Sequence, residues 1–154
     1  MVSLKKRSEG FTIVELLIVI VVIAILATLV IVTFTGIQQK ARNSQRQTDI
    51  NALDSHIEAY FASNGNYPTF GNLQDPTWVA ANMKGLDPAS LTDPKVPAAD
   101  VDATHTGIKN AADVTHYGYV TVPATCDNTN TQCTGFTLTA KLEGDSDFIK
   151  SSNT

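Results

Sequence analysis

One carboxylate stands where a carboxylate is expensive. Glu15 lies inside the run from Phe11 to Phe34, which is otherwise apolar except for Thr12, Thr28 and Thr33. An ionised side chain in a lipid interior costs about 2.5–3.5 kcal/mol at mid-depth and less near the surface. Glu15 can reach the headgroups from a first helical turn, where the helix dipole favours negative charge. Alternatively it can take a positive partner. A chain cut between Gly10 and Phe11 supplies one, because a new α-amino group is cationic near neutral pH. Other reactive groups are sparse. His56, His105 and His116 are scattered with no partner at ligand spacing, and read as surface or edge histidines. There is no G-x-S-x-G and no glycine loop built to cradle phosphate. No enzyme is expected.

The element that must position Glu15 is a helix. Twenty-four residues at about 1.5 Å each rise roughly 36 Å, enough to cross a hydrocarbon core of about 30 Å. Three readings compete for this segment. A cleaved secretory signal fits Lys5, Lys6 and Arg7, but the run exceeds the usual apolar stretch of about 7–15 residues and no A-x-A-like site follows. An uncleaved anchor is the second. The third is an anchor whose Glu15 awaits a cationic partner.

Composition supports a chain with two environments. Of the 26 residues at 11–36, 20 are hydrophobic, against 43% for the whole 154-residue chain. Residues 1–46 hold six basic and two acidic side chains, and residues 47–154 hold five basic and 13 acidic. A basic, apolar start joined to an acidic, polar remainder excludes a plain cytosolic enzyme, a multi-span membrane protein and a basic nucleic-acid-binding domain.

Lys5-Lys6-Arg7-Ser8-Glu9-Gly10 followed by Phe11-Thr12-Ile13-Val14-Glu15-Leu16-Leu17 resembles the class III signal of type IV pilins and type II secretion pseudopilins. The resemblance implies cleavage after Gly10 by a prepilin peptidase and N-methylation of Phe11. It also implies pairing of Glu15 with the amino terminus of a neighbouring subunit during assembly. Basic residues stay on the cytoplasmic side, so Lys5, Lys6 and Arg7 place the leader inside. Lys40, Arg42 and Arg46 beyond the far end blunt that signal. Many pilins bend this helix with a proline where this chain has Val32, and Gly36 beside Thr33 and Thr35 offers a weaker point for melting.

After Gly36 the helical pattern resumes. Ile50, Leu53, Ile57 and the pair Tyr60/Phe61 fall on one face, and Asn64-Gly65 with Pro68 supplies the stop. The predicted fold is α+β. A long N-terminal helix, apolar in its first half, packs against a small antiparallel sheet head in a pilin-like lollipop. Residues 1–10 form the leader, 11–36 the membrane and filament-core half of the helix, and 37–63 its amphipathic half. A proline-rich loop region at 64–113 contains one short helix, capped by Asp75 with Pro76 at its first position. Trp78 is the expected anchor of that helix on the long one. A sheet region fills 114–154, with alternating strands at 117–122 and 135–142 and two to four strands in all.

Cys126 and Cys133, seven apart in an exported loop, favour one short disulfide pinning a hairpin. Glu143, Asp145 and Asp147 are weak calcium candidates, since calcium wants six to eight oxygen ligands. A solvated turn is the preferred reading, because the fuller loop pattern of calcium-binding pseudopilins is missing. No cofactor or metal is expected. The expected function is a structural subunit of a type IV pilus or related filament, held in the cytoplasmic membrane by a single span with its head outside, then carried into a surface filament. Its partners are identical or related subunits, the prepilin peptidase and the assembly machinery, with nucleic acid not a specific ligand. Alternatives are a pseudopilin of a type II secretion system, a minor DNA-uptake pilin, or a non-polymerising single-pass surface binding protein.

Overall fold

The computed structural model describes residues 10–102 and 104–153. The leader residues Lys5, Lys6 and Arg7 and the side chain of Val32 lie outside what is described. The chain divides into two compact units, residues 1–39 and 40–154. Helix α1, Ile13–Asn64, contributes to both.

In the first unit α1 is apolar on every side. Its described large apolar side chains, from Ile13 to Ile37, are exposed. Hydroxyls on this surface bond within the helix, Thr28 donating to the Ile25 carbonyl at 2.8 Å and Thr33 to the Leu29 carbonyl at 3.0 Å. Polar groups satisfied internally are what a water-free environment requires. The helix runs through Gly36 without a break. One segment with a mean hydropathy of 3.4 is long and apolar enough to cross a membrane.

The second unit is the head. Residues 40–64 of α1 turn Arg46, Asp49, Ile50, Leu53 and Ile57 into the interior, at the 3–4 spacing of one helical face. The expected stop holds. Gly65 takes the left-handed conformation (φ +76°) and donates to the Phe61 carbonyl at 2.8 Å. Two short helices follow. α2, Phe70–Gln74, is closed by a reciprocal cap between Thr69 and Asn72. α3, Pro76–Asn82, is capped by Asp75, whose side chain accepts from the Thr77 N–H. α2 is an addition to the single short helix expected. Trp78 sits half-buried 5.2 Å from the Tyr60 ring, while Leu73 and Val79 enter the core.

The sheet has four strands in the order β1 (Ile108–Lys109), β2 (Tyr117–Val122), β3 (Gly135–Ala140) and β4 (Phe148–Ser151). It is mixed rather than purely antiparallel, because β1 pairs parallel to β2. The β2–β3 and β3–β4 pairs are antiparallel. β1 and β2 approach so closely through the intervening turn that a side chain at Gly118 would meet the Ala112 backbone N at 2.5 Å. β3 ends two residues sooner than its alternation predicts. Lys141 and Leu142 lead into a turn, and the tail returns as β4. Tyr117, Tyr119, Phe136, Leu138 and Ala140 share one core with Ile50, Leu53 and Ile57.

Candidate functional site

At the start of α1, Thr12 and Glu15 hold each other. The Thr12 N–H and hydroxyl both donate to Glu15 Oε2 at 2.8 Å, and the Glu15 N–H donates back to the Thr12 hydroxyl at 3.2 Å. This is a capping box, in which Thr at the cap and Glu three residues on satisfy each other's orphan donors. The T-x-x-E spacing carries that signal. Glu15 Oε1 accepts no hydrogen bond among the described residues. Gly10 and Phe11 are exposed, with Phe11 at 83%. A cut between them would leave an α-amino group at a free helix start.

A second constellation occupies the base of the head. Arg46, fully buried, sends Nε to Asp93 Oδ2 at 2.6 Å and Nη2 to Asp93 Oδ1 at 3.0 Å. Its Nη1 donates to Glu143 Oε1 at 2.9 Å and to the Asn43 side-chain Oδ1 at 3.1 Å. Arg42 forks onto the two Glu143 oxygens at 2.6 and 2.7 Å, and Lys95 joins Glu143 Oε2 at 2.8 Å. The Asn43 side chain pairs with the Glu143 backbone in both directions, at 3.0 and 2.9 Å. The cluster therefore ties α1, the segment after the Pro88–Leu91 turn and the β3–β4 connection together.

The charges respond accordingly. Arg42, followed by Lys95 and Arg46, holds the Glu143 carboxyl well below the usual carboxylate range. Burial pushes the neighbouring Asp49 up, although the Tyr117 hydroxyl donates to its Oδ2 at 2.7 Å. Burial first, then Asp49, pushes Tyr117 far up. On sequence alone, Arg42 and Arg46 read as charges beyond the span. The available signal was their position on the stripe continued back from Leu53 and Ile50.

The three weak calcium candidates do not converge. Glu143 serves the arginines, Asp147 pairs with Lys141 at 3.0 Å, and Asp145 is exposed and accepts from the Ser146 N–H. No group of three or more metal-ligating side chains occurs among the described residues. The Cys126–Cys133 disulfide is present, with Cα atoms 5.1 Å apart. Its loop is locked to the helix exit, since Asn128 donates to the Tyr67 carbonyl at 2.7 Å and Tyr67 N–H to the Cys133 carbonyl at 2.9 Å. His105 is exposed and His56 half-buried. His116 corrects the expectation of a surface histidine, being buried between two carboxylates.

Residues 5–31, spanning the Gly10–Phe11 junction and Glu15, match the prokaryotic N-terminal methylation motif. This chain carries a prokaryotic N-terminal methylation motif. The motif-bearing chain is also similar to type II secretion system core protein G of Dickeya chrysanthemi, 38% identical over 66 residues, or 43% of each chain. Core protein G of Aeromonas hydrophila is 40% identical over 65 residues, covering 42% of this chain and 46% of that one. The type IV major pilin protein PilA of Myxococcus xanthus is 35% identical over 66 residues, covering 43% of this chain and 30% of PilA. The chain thus spans less than half the length of these relatives. No solved structure matches it at a significant level. The methylation motif with a long helix and a small sheet makes a pilin-like α+β fold.

Proposed function

We propose that this chain is a structural subunit of a type IV pilus or a related pseudopilus. The leader is cut after Gly10 and Phe11 is N-methylated, leaving 144 residues and a side-chain charge of −6, two units below the −4 of the full chain. Before assembly the subunit waits in the membrane on the apolar half of α1, with its head on the outer side. During assembly these helices pack against one another, driven by close van der Waals contact and the loss of lipid and water from their surfaces.

Glu15 carries the reading. A buried carboxylate is tolerated when paired. Its Oε1, which accepts no hydrogen bond among the described residues, stands at a helix start four residues from the nitrogen that cleavage would free. The amine of a neighbouring subunit meets that oxygen and fixes the axial register. Relatives of both kinds, secretion core protein and major pilin, match this chain, so the mechanism proposed is the one common to both.

Mass spectrometry of the mature protein tests the reading. The expected N-terminus is N-methyl-Phe11. An intact Met1 in filament-producing cells overturns it.

A further inference from the structure

His116 stands immediately before β2 with its side chain only 3% exposed. Its two ring nitrogens have different surroundings. Nδ1 lies 3.0 and 3.2 Å from the two Asp113 oxygens, inside the turn that carries both residues. The Thr115 hydroxyl donates to the same carboxylate at 2.8 Å and steadies it. An ionised carboxylate only accepts, so it takes the Nδ1 proton and leaves Nε2 with a lone pair. Nε2 lies 3.0 Å from Asp100 Oδ2 but has no aligned hydrogen-bond partner among the described residues. The lone pair therefore passes beside the Asp100 oxygen instead of pointing at it.

Two acceptors placed side by side in this way have the spacing of neighbouring ligands on one ion. Ligands at about 2.1 Å from a shared ion stand about 3.0 Å apart at a right angle and about 3.4 Å apart at a tetrahedral angle. The setting of His116 fits as well. A metal-binding imidazole characteristically donates its other N–H to a carboxylate, which fixes the tautomer and the ring orientation. A cavity of about 200 Å³ opens beside the pair. Asp100, Lys109 and His116 line it while Asp113 does not, so the ring turns its Nε2 edge toward the cavity. Asp100 ends the short turn Ala98–Asp100, and its side chain is partly exposed and free to adjust.

We propose that His116 and Asp100 form a binding site for a divalent transition-metal ion of the zinc class, with Asp113 as the positioning residue behind the imidazole. One imidazole with one carboxylate suits zinc, copper or nickel, whereas calcium and magnesium want shells built from oxygen. No group of three or more ligating side chains occurs among the described residues, so water completes the coordination from the cavity side. Two carboxylates face one ammonium here, which leaves a negative charge for an incoming cation. That ammonium, Lys109 Nζ, lies 3.5 Å from Asp113 and 3.9 Å from Asp100 and competes with the ion. Its exposed side chain holds it there only weakly. His105 lines the same cavity but is exposed and faces Asp102 at 3.4 Å, and the site does not require it. A bound ion ties the Ala98–Asp100 turn to the start of β2. The inference stands on the head alone and does not depend on filament assembly.

Calorimetric titration of zinc chloride into the full-length chain in detergent micelles at pH 7.5 tests it. The wild type should bind one equivalent of zinc and no magnesium, and its thermal unfolding midpoint should rise with zinc concentration. Asp100→Asn should weaken binding about tenfold or more. Asp113→Asn should also weaken it about tenfold, the effect of losing the partner behind a ligating imidazole. Lys109→Gln, which removes the competing ammonium, should tighten binding, and His105→Ala should leave it unchanged. Failure of the wild type to bind zinc overturns the site. So does binding that survives Asp100→Asn and is lost in His105→Ala, because it then belongs to an adventitious surface histidine. Asp100 and His105 are both exposed, so these two variants remain decisive even where a change at the buried His116 prevents folding.

Discussion

The Arg46 guanidinium meets the Asp93 carboxylate at 2.6 Å with essentially no water on either side, the two side chains being 0% and 2% exposed. A pair so buried draws little net stability from its own attraction, because both ions were stripped of water to form it. Its structural effect lies in what breaks when one partner goes. The pair fixes the segment that follows the Pro88–Leu91 turn against α1, and through Glu143 it fixes the β3–β4 connection as well.

Arg46→Met should therefore destabilise the head by about 3–5 kcal/mol, since Asp93 is left as an uncompensated buried charge. The double variant Arg46→Met/Asp93→Leu should recover most of that loss. Denaturant titration followed by the fluorescence of Trp78, the single tryptophan, measures both. A loss below 1 kcal/mol in the single variant contradicts the cluster as the brace of the head.

Glu143 makes the same cluster acid-sensitive. Its folded-state pKa is depressed below the ordinary 4.5 by Arg42, then Lys95 and Arg46. A depressed carboxyl contributes stability that is fully present above the unfolded value and is lost as pH falls through the folded one. Thermal unfolding should thus show the wild type weakening from about pH 5 downward. Glu143→Gln should be less stable at pH 7 and fall less steeply with acid. Parallel pH profiles for the two proteins rule out this role.

The disulfide closes a short loop between Cys126 and Cys133. In the chain-entropy account a loop of this length contributes about 2.5 kcal/mol. Cys126→Ser/Cys133→Ser should lower the midpoint of thermal unfolding while the Asn128–Tyr67 and Tyr67–Cys133 hydrogen bonds keep the loop docked. Limited proteolysis should then find this loop no more accessible than before. Rapid cleavage within 127–132 shows that the disulfide, rather than the docking, holds it.

Much of this architecture was legible from periodicity and from Gly, Pro and Asx chemistry. Ile50, Leu53 and Ile57 repeat at helical spacing and are buried, Asn64-Gly65 ends the helix, and Asp75-Pro76 begins α3. These are local signals, each contained within a few residues. The short strands β1 and β4 left no such trace. β1 has only two residues and pairs in parallel, and β4 gains its partners from β3 through long-range register. The ion cluster was hidden for a related reason. Arg46 and Asp93 are 47 residues apart, and Arg42 and Glu143 are 101 apart. A charge on a core-facing helix position identifies itself as buried only when the apolar stripe is extended through it. His116 was misplaced because its carboxylates come from two different turns.

Two roles meet in Glu15, and substitution separates them. In the capping box it serves the isolated helix, and Thr12→Val removes the hydroxyl that donates to Oε2 and accepts from the Glu15 N–H, while leaving the backbone donor and the carboxylate in place. Loss of an N-cap costs about 1 kcal/mol, too little to expel a helix of this hydropathy from a membrane. Thr12→Val should then insert normally and form filaments in reduced number. Glu15→Ala removes the proposed partner of the Phe11 amine as well as the cap. It should insert as well as wild type but fail to assemble, because each packed amine is left buried and unpaired. Glu15→Gln keeps an acceptor and loses the charge, so its filaments should fall between the two. Membrane fractionation combined with electron microscopy of surface filaments reads all three. If Thr12→Val and Glu15→Ala impair assembly to the same degree, the cap accounts for Glu15 and the inter-subunit pairing is wrong. If Glu15→Ala assembles as well as wild type, neither role governs assembly.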